Sequence, residues 1–595
     1  MRRTISWAAL AFLLSAAPAA AGLASVWAVG DGDKVARDAP SSPLAKGNAA
    51  WDGRTVRLAA ARNEIIAFQV IVEADGSGIR ALSAALPELR RRGGSERIAY
   101  TPPAADPTLY AGRPIQLFSV RDMNVTQETH ASWAWMPGSP AAPKHTVGWQ
   151  PVQLVPENAR TGRGGFPLAV GPGLIQAIWI DVYVGRDLPA GTYEGTVTLT
   201  ADGAKRSLPV ELRVFGFTLP DANSLPAMVY YEPSQPELYQ GRNLDPAYHR
   251  FAHRQRIELV HAYDETKVEA NRGRFDGNDF TAKAGYEGPG EGVGNTIVPV
   301  SFYGTGPAFE QKESAWKRSD AWMEFVARTL PKALTFLYLP DEPYPQQYPE
   351  VRRLAENVRS NPGPGRRLPL FLTKAVVPEL AGVPDIWCVP PQALDLKLAA
   401  AERARGRRIW TYNGGRPQGP TPVIDAPATE ARAIAWASFK HDLDLYFFWH
   451  GVQWEHNRQK QGERKQNVWA NPITFDNRGQ PHKPVEDQGF INGDGVLMYP
   501  GQEVLHPEED RGIAGPVSTV QLANLRRGLQ DHLYLTLARQ AGLEPLVRDV
   551  LQAVVPRAYS DAGETVGFAE TGETYEVARL KLGAAIEARL AKERK

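Results

Sequence analysis

The sequence predicts a multidomain β plus α/β protein: an N-terminal antiparallel β-sandwich, then a (β/α)8 barrel of the TIM type, then a C-terminal helical segment. Three observations predict it. Up to about residue 220, apolar and β-branched residues alternate or run together between turn residues, as strands do. From there to about 510, short and nearly continuous apolar runs alternate with helical stretches, the pattern of a parallel sheet covered on both faces. Beyond about 517, Leu522, Leu525, Leu529, Leu533 and Leu537 recur at helical spacing, and Arg527 with Asp531 can form an i,i+4 pair.

The first residues, MRRTISWAALAFLLSAAPAAAG, join a positive start at Arg2 and Arg3 to an apolar run and a small-residue cleavage site at Ala19-Ala20-Ala21. Residues 1–21 therefore read as a secretory signal peptide, with an apolar part short for a membrane span. No later segment is apolar enough to cross a bilayer, so a periplasmic or extracellular protein is expected. The sandwich is assigned to 22–220. IIAFQVIVEA (65–74) and IWIDVYVG (178–185) are strands, and residues 188–220 make two strands joined at Asp202-Gly203. LPDANSLP (219–226) leads out of it.

The barrel is assigned to 221–510. Its strand candidates are 227–232, 257–263, 296–303, 335–342, 368–374, 385–390, 408–414 and 443–451, with GVLMYPG (495–501) as a further one. Helices are expected at 314–330, 348–360, 391–406 and 428–442. About eight such strands in about 250 residues favour a barrel over an open sheet. Residues 511–595 form the helical segment, packed on the barrel.

Composition narrows the function. Hydrophobic residues are 43% and charged residues 22%, which fits a full-sized core, and the formal net charge of +1 carries no basic stripe, so no nucleic-acid partner is expected. The histidines lack metal-ligand spacing, and neither metal nor cofactor is implied. The single cysteine, Cys388, lies in an apolar strand and reads as a buried small hydrophobe. With no intrachain disulfide available, an exported protein relies on its core. GYEGPGEGVGN (285–295) follows no strand and opens no helix, so it is no phosphate cradle; a flexible loop is the default and a lid over the site the alternative.

The candidate site is the end of TFLYLPDEPYP (335–345), where Asp341 and Glu342 stand between Pro340 and Pro343. A solvated turn is the plain explanation. Barrel sites, however, collect at the C-terminal ends of strands. Glu232, His261, Tyr303, Lys374, Tyr412, Asn413, Trp449 and His450 fall at corresponding ends, and Trp454 follows closely. Trp449 and Trp454 suit sugar stacking, while His450 reads better as a satisfied core histidine. Pro343 disfavours helix at Glu342 and is expected to hold it extended, so that both carboxyls reach one cavity. Two like charges that close should raise the pKa of one, as a glycosidic proton donor requires. Adjacent acids approach a sugar from one side, however, whereas a two-carboxylate glycosidase needs groups on opposite faces. Either Glu232 supplies the second group, or the substrate supplies its own nucleophile through a 2-acetamido carbonyl.

YLPDEP at a strand end resembles the catalytic Asp-Glu pair of glycoside hydrolase family 123, the β-N-acetylgalactosaminidases. ARNEIIAFQVIVEA and LPAGTYEGTVTLT are similar to the sandwich that precedes the barrel in that group, and LYFFWHGVQW, INGDGVLMYPG and GPVSTVQLANLRRGLQDHLYL resemble its later part. The resemblance implies an exported hydrolase of β-linked 2-acetamido-hexose glycosides, acting with retention through substrate assistance on a glycan or oligosaccharide. It implies that Glu342 is the general acid and that Asp341 orients the acetamido group. Two alternatives stay open: a hydrolase of a non-acetamido glycan that uses a further strand-end carboxylate, and a non-catalytic carbohydrate-binding or envelope scaffold protein.

Overall fold

A computed structural model describes residues 22–39, 42–455, 465–481 and 484–593; the signal peptide read at 1–21 lies outside the described residues. The N-terminal part folds as two mostly antiparallel sheets. In the first, Leu23–Gly30, Glu64–Ala74, Ile175–Val184, Ile115–Val125 and Gly148–Pro156 lie side by side; in the second, Val56–Arg62, Ala204–Thr218, Gly191–Ala201, Ile79–Ala85 and Leu168–Val170 do. Alternating side chains from both sheets, among them Val70, Ile178, Ile180, Val197 and Leu212, bury a common core. The hairpin at Asp202-Gly203 follows from backbone chemistry: both residues have positive φ (48° and 88°), the two-residue turn that matches strand twist.

Two short strands complete this region, the first a barrel candidate by sequence and the second in the segment expected to be helical. Met498–Pro500 and Pro516–Thr519 pair with each other, and Ser518 and Thr519 pair with Gly148–Pro156, so GVLMYPG extends the first N-terminal sheet and does not join the parallel one. The polypeptide thus returns to the N-terminal sheets late in the chain, a long-range pairing that local periodicity does not encode.

The middle of the chain forms a seven-stranded parallel sheet in the order Glu258–Val260, Ala227–Tyr230, Tyr446–Phe448, Arg408–Tyr412, Ile386–Val389, Leu370–Thr373, Leu337–Tyr338. Residues 296–300 run beside its last strand and reach back to its first: Val298 N–H donates to Leu334 O (2.9 Å), Val300 N–H to Phe336 O (3.0 Å) and Tyr263 N–H to Pro299 O (2.9 Å). One face of the sheet packs on helices Lys312–Thr329, Tyr348–Arg359 and Thr429–Lys440. The other face converges on Phe336, Phe371, Trp410 and Phe447.

Three helices follow: Val520–Gln540, Glu544–Val554 and Gly572–Glu593. Thr519 caps the first, accepting from Leu522 N–H at 3.1 Å. This helix is buried on nearly every face because it lies between the N-terminal sheets and Thr429–Lys440. Gly528 permits the close approach: a Cβ there would sit 2.6 Å from Arg432 O. Arg527 and Asp531 accordingly do not form the expected i,i+4 pair. Arg527 turns to Asp31, Glu64 and Glu576, and Asp531 to Arg432 and Trp436. The glycine-rich run 285–295 is also tied down, with Gly290 N–H on Asp221 and Gly285 O accepting from Tyr110 N–H. It contributes nothing to the cavity described next, so a lid there is not what the fold builds.

Candidate active site

Asp341 and Glu342 both open into a cavity of about 590 Å³ at the C-terminal ends of the parallel strands. Alternation along a strand would send two neighbours to opposite faces. The chain avoids this at Glu342, whose φ is +41°. That corrects the extended conformation expected before Pro343: the residue is left-handed, a conformation costly for a side chain with a Cβ and found where geometry serves function. Tyr303 (φ +52°) and Asn413 (φ +54°), also on the cavity wall, share it.

Hydroxyl groups hold the carboxylates. Tyr338 O–H and Thr373 O–H each donate to Asp341 Oδ1 at 2.7 Å, and Glu342 N–H donates to Thr373 Oγ1 at 3.1 Å. Tyr412 O–H donates to Glu342 Oε1 at 2.6 Å. The pair is thereby split: Asp341 is oriented by the neighbouring strand Leu370–Thr373, and Glu342 leans toward Arg408–Tyr412. Burial, reinforced by the adjacent carboxylates, raises the Tyr303, Tyr338 and Tyr412 phenols well above their ordinary value, so they stay protonated; Tyr338 and Tyr412 donate to these acids, and Tyr303 to a neighbouring backbone carbonyl.

Trp449 is fixed at every polar atom. Its N–H donates to Asn413 Oδ1 (3.1 Å), its carbonyl accepts from Tyr303 O–H, and its indole N–H donates to Asp494 Oδ1 (2.7 Å). Burial pushes the Asp494 carboxyl up to about 6, against the pull of that indole bond. Phe475 meets the Trp449 ring edge-on at 5.7 Å and Trp133 at 5.8 Å. The result is a rigid aromatic wall in a cavity lined by the acid pair, Asp487 and the buried Asp494, a composition suited to a polyol with apolar ring faces.

Of the residues singled out by sequence, Tyr303, Lys374, Tyr412, Asn413 and Trp449 line this cavity together with Asp341 and Glu342. Glu232, His261 and Trp454 lie elsewhere. Glu232 faces His450 at 4.0 Å and accepts from Ser234 and Gln235; His450, Gln235 and Ser234 together hold its carboxyl down to about 2. His261 is bonded to Ala262 O and packs on Tyr263. Trp454 is buried, its indole N–H on Met498 O at 2.8 Å. Asp264 caps a short helix through Lys267 N–H, and Glu265 pairs with Arg318. Sequence reasoning missed Tyr338, Thr373, Trp133, Phe475 and Asp494. Thr373 was within reach of the strand-end rule, since it directly precedes Lys374. Among the described residues no group of three or more His, Cys, Asp or Glu side chains could hold a metal ion.

Residues 335–538, which begin at the strand bearing the acid pair, match the family model described as "Glycoside hydrolase 123, catalytic domain". No curated protein matches the chain. Among solved structures it resembles a family 123 glycoside hydrolase from Clostridium perfringens, characterised for glycolipid glycan hydrolysis, with a TM-score of 0.63 at 10% identity over 96% of this chain and 98% of that one. That likeness concerns the fold. A β-glucuronidase from Parabacteroides merdae (TM-score 0.23, 9% identity, 64% of this chain and 45% of that one) and a putative β-galactosidase from Bacteroides fragilis (0.22, 9%, 66% and 54%) are too distant to argue from.

Proposed function

We propose that the chain is a family 123-type glycoside hydrolase acting on a glycan, and that it cleaves β-linked 2-acetamido-hexose residues with retention, the substrate's own acetamido oxygen serving as nucleophile. The observation that carries this reading is the split of adjacent acids within one cavity. Groups one residue apart cannot flank a sugar as acid and nucleophile. They can act from the same side if the substrate attacks itself. Asp341, oriented at Oδ1 by two hydroxyls, then accepts the acetamido N–H at its other oxygen and places the carbonyl oxygen under the anomeric carbon. Glu342 gives its proton to the departing glycosidic oxygen, then takes one from the water that opens the cyclic intermediate. Trp449 supplies the stacking face, and Asp494 fixes that ring and accepts from a sugar hydroxyl.

A closed (β/α)8 barrel as the scaffold is supported by the hydrogen bonds of 296–300 to both ends of the parallel sheet and by an inner cluster that draws on every one of the eight segments, from Met228 through Ile297 to Phe447. Export is supported by the leader pattern of residues 1–21.

The test is Glu342→Gln assayed on a chromogenic 2-acetamido-β-galactoside. Turnover should fall by about 10³-fold or more, the upper half of the usual range for losing general acid–base assistance because the same group serves as acid and base, with the unfolding midpoint unchanged. A thiazoline that mimics the cyclic intermediate should inhibit the wild type. An undiminished rate in the variant, or indifference to the thiazoline, would discard the mechanism.

A further inference from the structure

We propose that Trp133, delivered by the N-terminal region, forms the wall of a leaving-group sugar subsite, so that the enzyme reads the sugar on the far side of the scissile bond. The inference rests on the function proposed above and names a binding site beyond it.

Among the described residues, Trp133 is the one cavity-lining side chain that comes from the first 220. Its loop is clamped from two sides. His130 and Phe490 exchange backbone hydrogen bonds at 3.0 Å, and Thr129 donates to Asp425 through both N–H (2.7 Å) and O–H (2.8 Å). Next to the ring, Arg416 N–H donates to Ala134 O at 2.9 Å. Gly415 is needed for this approach, since a Cβ there would stand 2.9 Å from Trp133 O and 2.7 Å from Gln392 Oε1. A loop held this firmly delivers its side chain to a fixed place.

The side chain itself is not committed. The Trp133 ring is only half-buried, and the structure gives neither its indole N–H nor the exposed Gln392 amide a hydrogen-bond partner among the described residues. Trp449, by contrast, has spent all its polar atoms. Phe475 stands between the two indoles, so Trp449, Phe475 and Trp133 form a row along one wall.

Direction follows from the acid. Glu342 leans to Tyr412, on the strand that leads through Asn413 and Gly414 to Gly415, against which Trp133 packs. The leaving group is accordingly set at the Trp133 end of the row, beside the strand end that bonds Glu342, with Trp449 stacking the sugar that carries the acetamido group. A cavity of about 590 Å³ lies in the range of pockets that take drug-sized ligands, a size a disaccharide reaches and a single hexose does not.

The experiment compares kcat/KM on a β-linked disaccharide with kcat/KM on the methyl glycoside of the same sugar, using galacto and gluco pairs with and without the 2-acetamido group. The wild type should favour the disaccharide. Trp133→Ala should lower that preference about five- to tenfold, and Trp133→Phe and Gln392→Ala should lower it by smaller factors in well-folded protein. A preference left intact in all three variants overturns the proposal. The acetamido reading fails separately, by wild-type preference for sugars that lack the group.

Discussion

Two clusters of carboxylates in this molecule are held in opposite ways. At the cavity, Asp341 and Glu342 are exposed and take hydrogen bonds from the hydroxyls of Tyr338, Thr373 and Tyr412. At the junction of the N-terminal sheets, the parallel-strand region and the C-terminal helices, Asp31, Glu64, Asp531 and Glu576 are buried against guanidinium groups. Arg527 alone reaches Asp31, Glu64 and Glu576, each at 2.8 Å, and Arg432 and Arg579 close the network on Asp531, Glu576 and Glu64. Burial disfavours the Glu576 anion, but Arg579, Arg432 and Arg527 overcome it and hold its carboxyl well below the usual range. Glu576, locked to three cations, keeps its charge and helps fix the positions of whole elements, whereas at Asp31 burial outweighs Arg527 and Arg432 and pushes the carboxyl up. An exposed carboxylate that takes hydrogen bonds from hydroxyls is oriented and stays open to a substrate. The first arrangement builds an interface, and the second leaves chemistry available.

Breaking the first cluster should have the largest effect of all on stability. Arg527→Met leaves three buried carboxylates short of a cation, and losing one partner of a buried pair costs about 3–5 kcal/mol. Urea unfolding should show a correspondingly lower midpoint. The turnover of the folded fraction should stay near that of the wild type, because Arg527 does not line the cavity. A variant as stable as the parent would mean that the network contributes little to holding the regions together.

Asp341→Asn sharpens the comparison from the other side. The amide keeps the shape of the carboxyl and much of its hydrogen bonding to Tyr338 and Thr373, but it can no longer present a negative charge to an acetamido N–H. We expect kcat to fall about 10²–10³-fold, the magnitude seen when one preorganised electrostatic contact to a transition state is removed. The melting temperature should move little, since both acids are exposed. Equal losses of activity and stability would blur the distinction between the two clusters.

Sequence reading succeeded where the determinants are local. The Asp202-Gly203 hairpin, the parallel strands and the placing of Asp341 and Glu342 on one cavity are all written in consecutive residues. It failed where partners are distant. LRRGLQDHLYL reads as a helix with an i,i+4 ion pair, yet Arg527 and Asp531 are both buried and turn to partners distant in sequence. Trp133 lies in SWAWMPG with no motif around it, and only the packing of Gly415 and Phe490 against its loop makes it part of the cavity. Glu342 defied a local rule outright: a residue before proline was expected to be extended, and the site holds it at φ +41°.

The smallest expected effect belongs to Tyr412→Phe, and it separates orientation from charge. The phenol donates to Glu342 Oε1 at 2.6 Å, while its ring stacks on Phe447 with centroids 6.2 Å apart. The phenylalanine ring should keep that stacking, so the fold and melting temperature should hold. What is lost is one donor that favours the ionised carboxylate over the acid. A general acid without that donor keeps its proton to higher alkalinity, so the alkaline limb of the kcat profile should move to higher pH. Poorer orientation of the carboxyl should lower the plateau by about three- to tenfold, the worth of roughly one hydrogen bond. A limb that moves to lower pH would mean that Tyr412 stabilises the protonated form of Glu342, and that this acid is tuned by some contact other than the hydroxyl which the structure places on it.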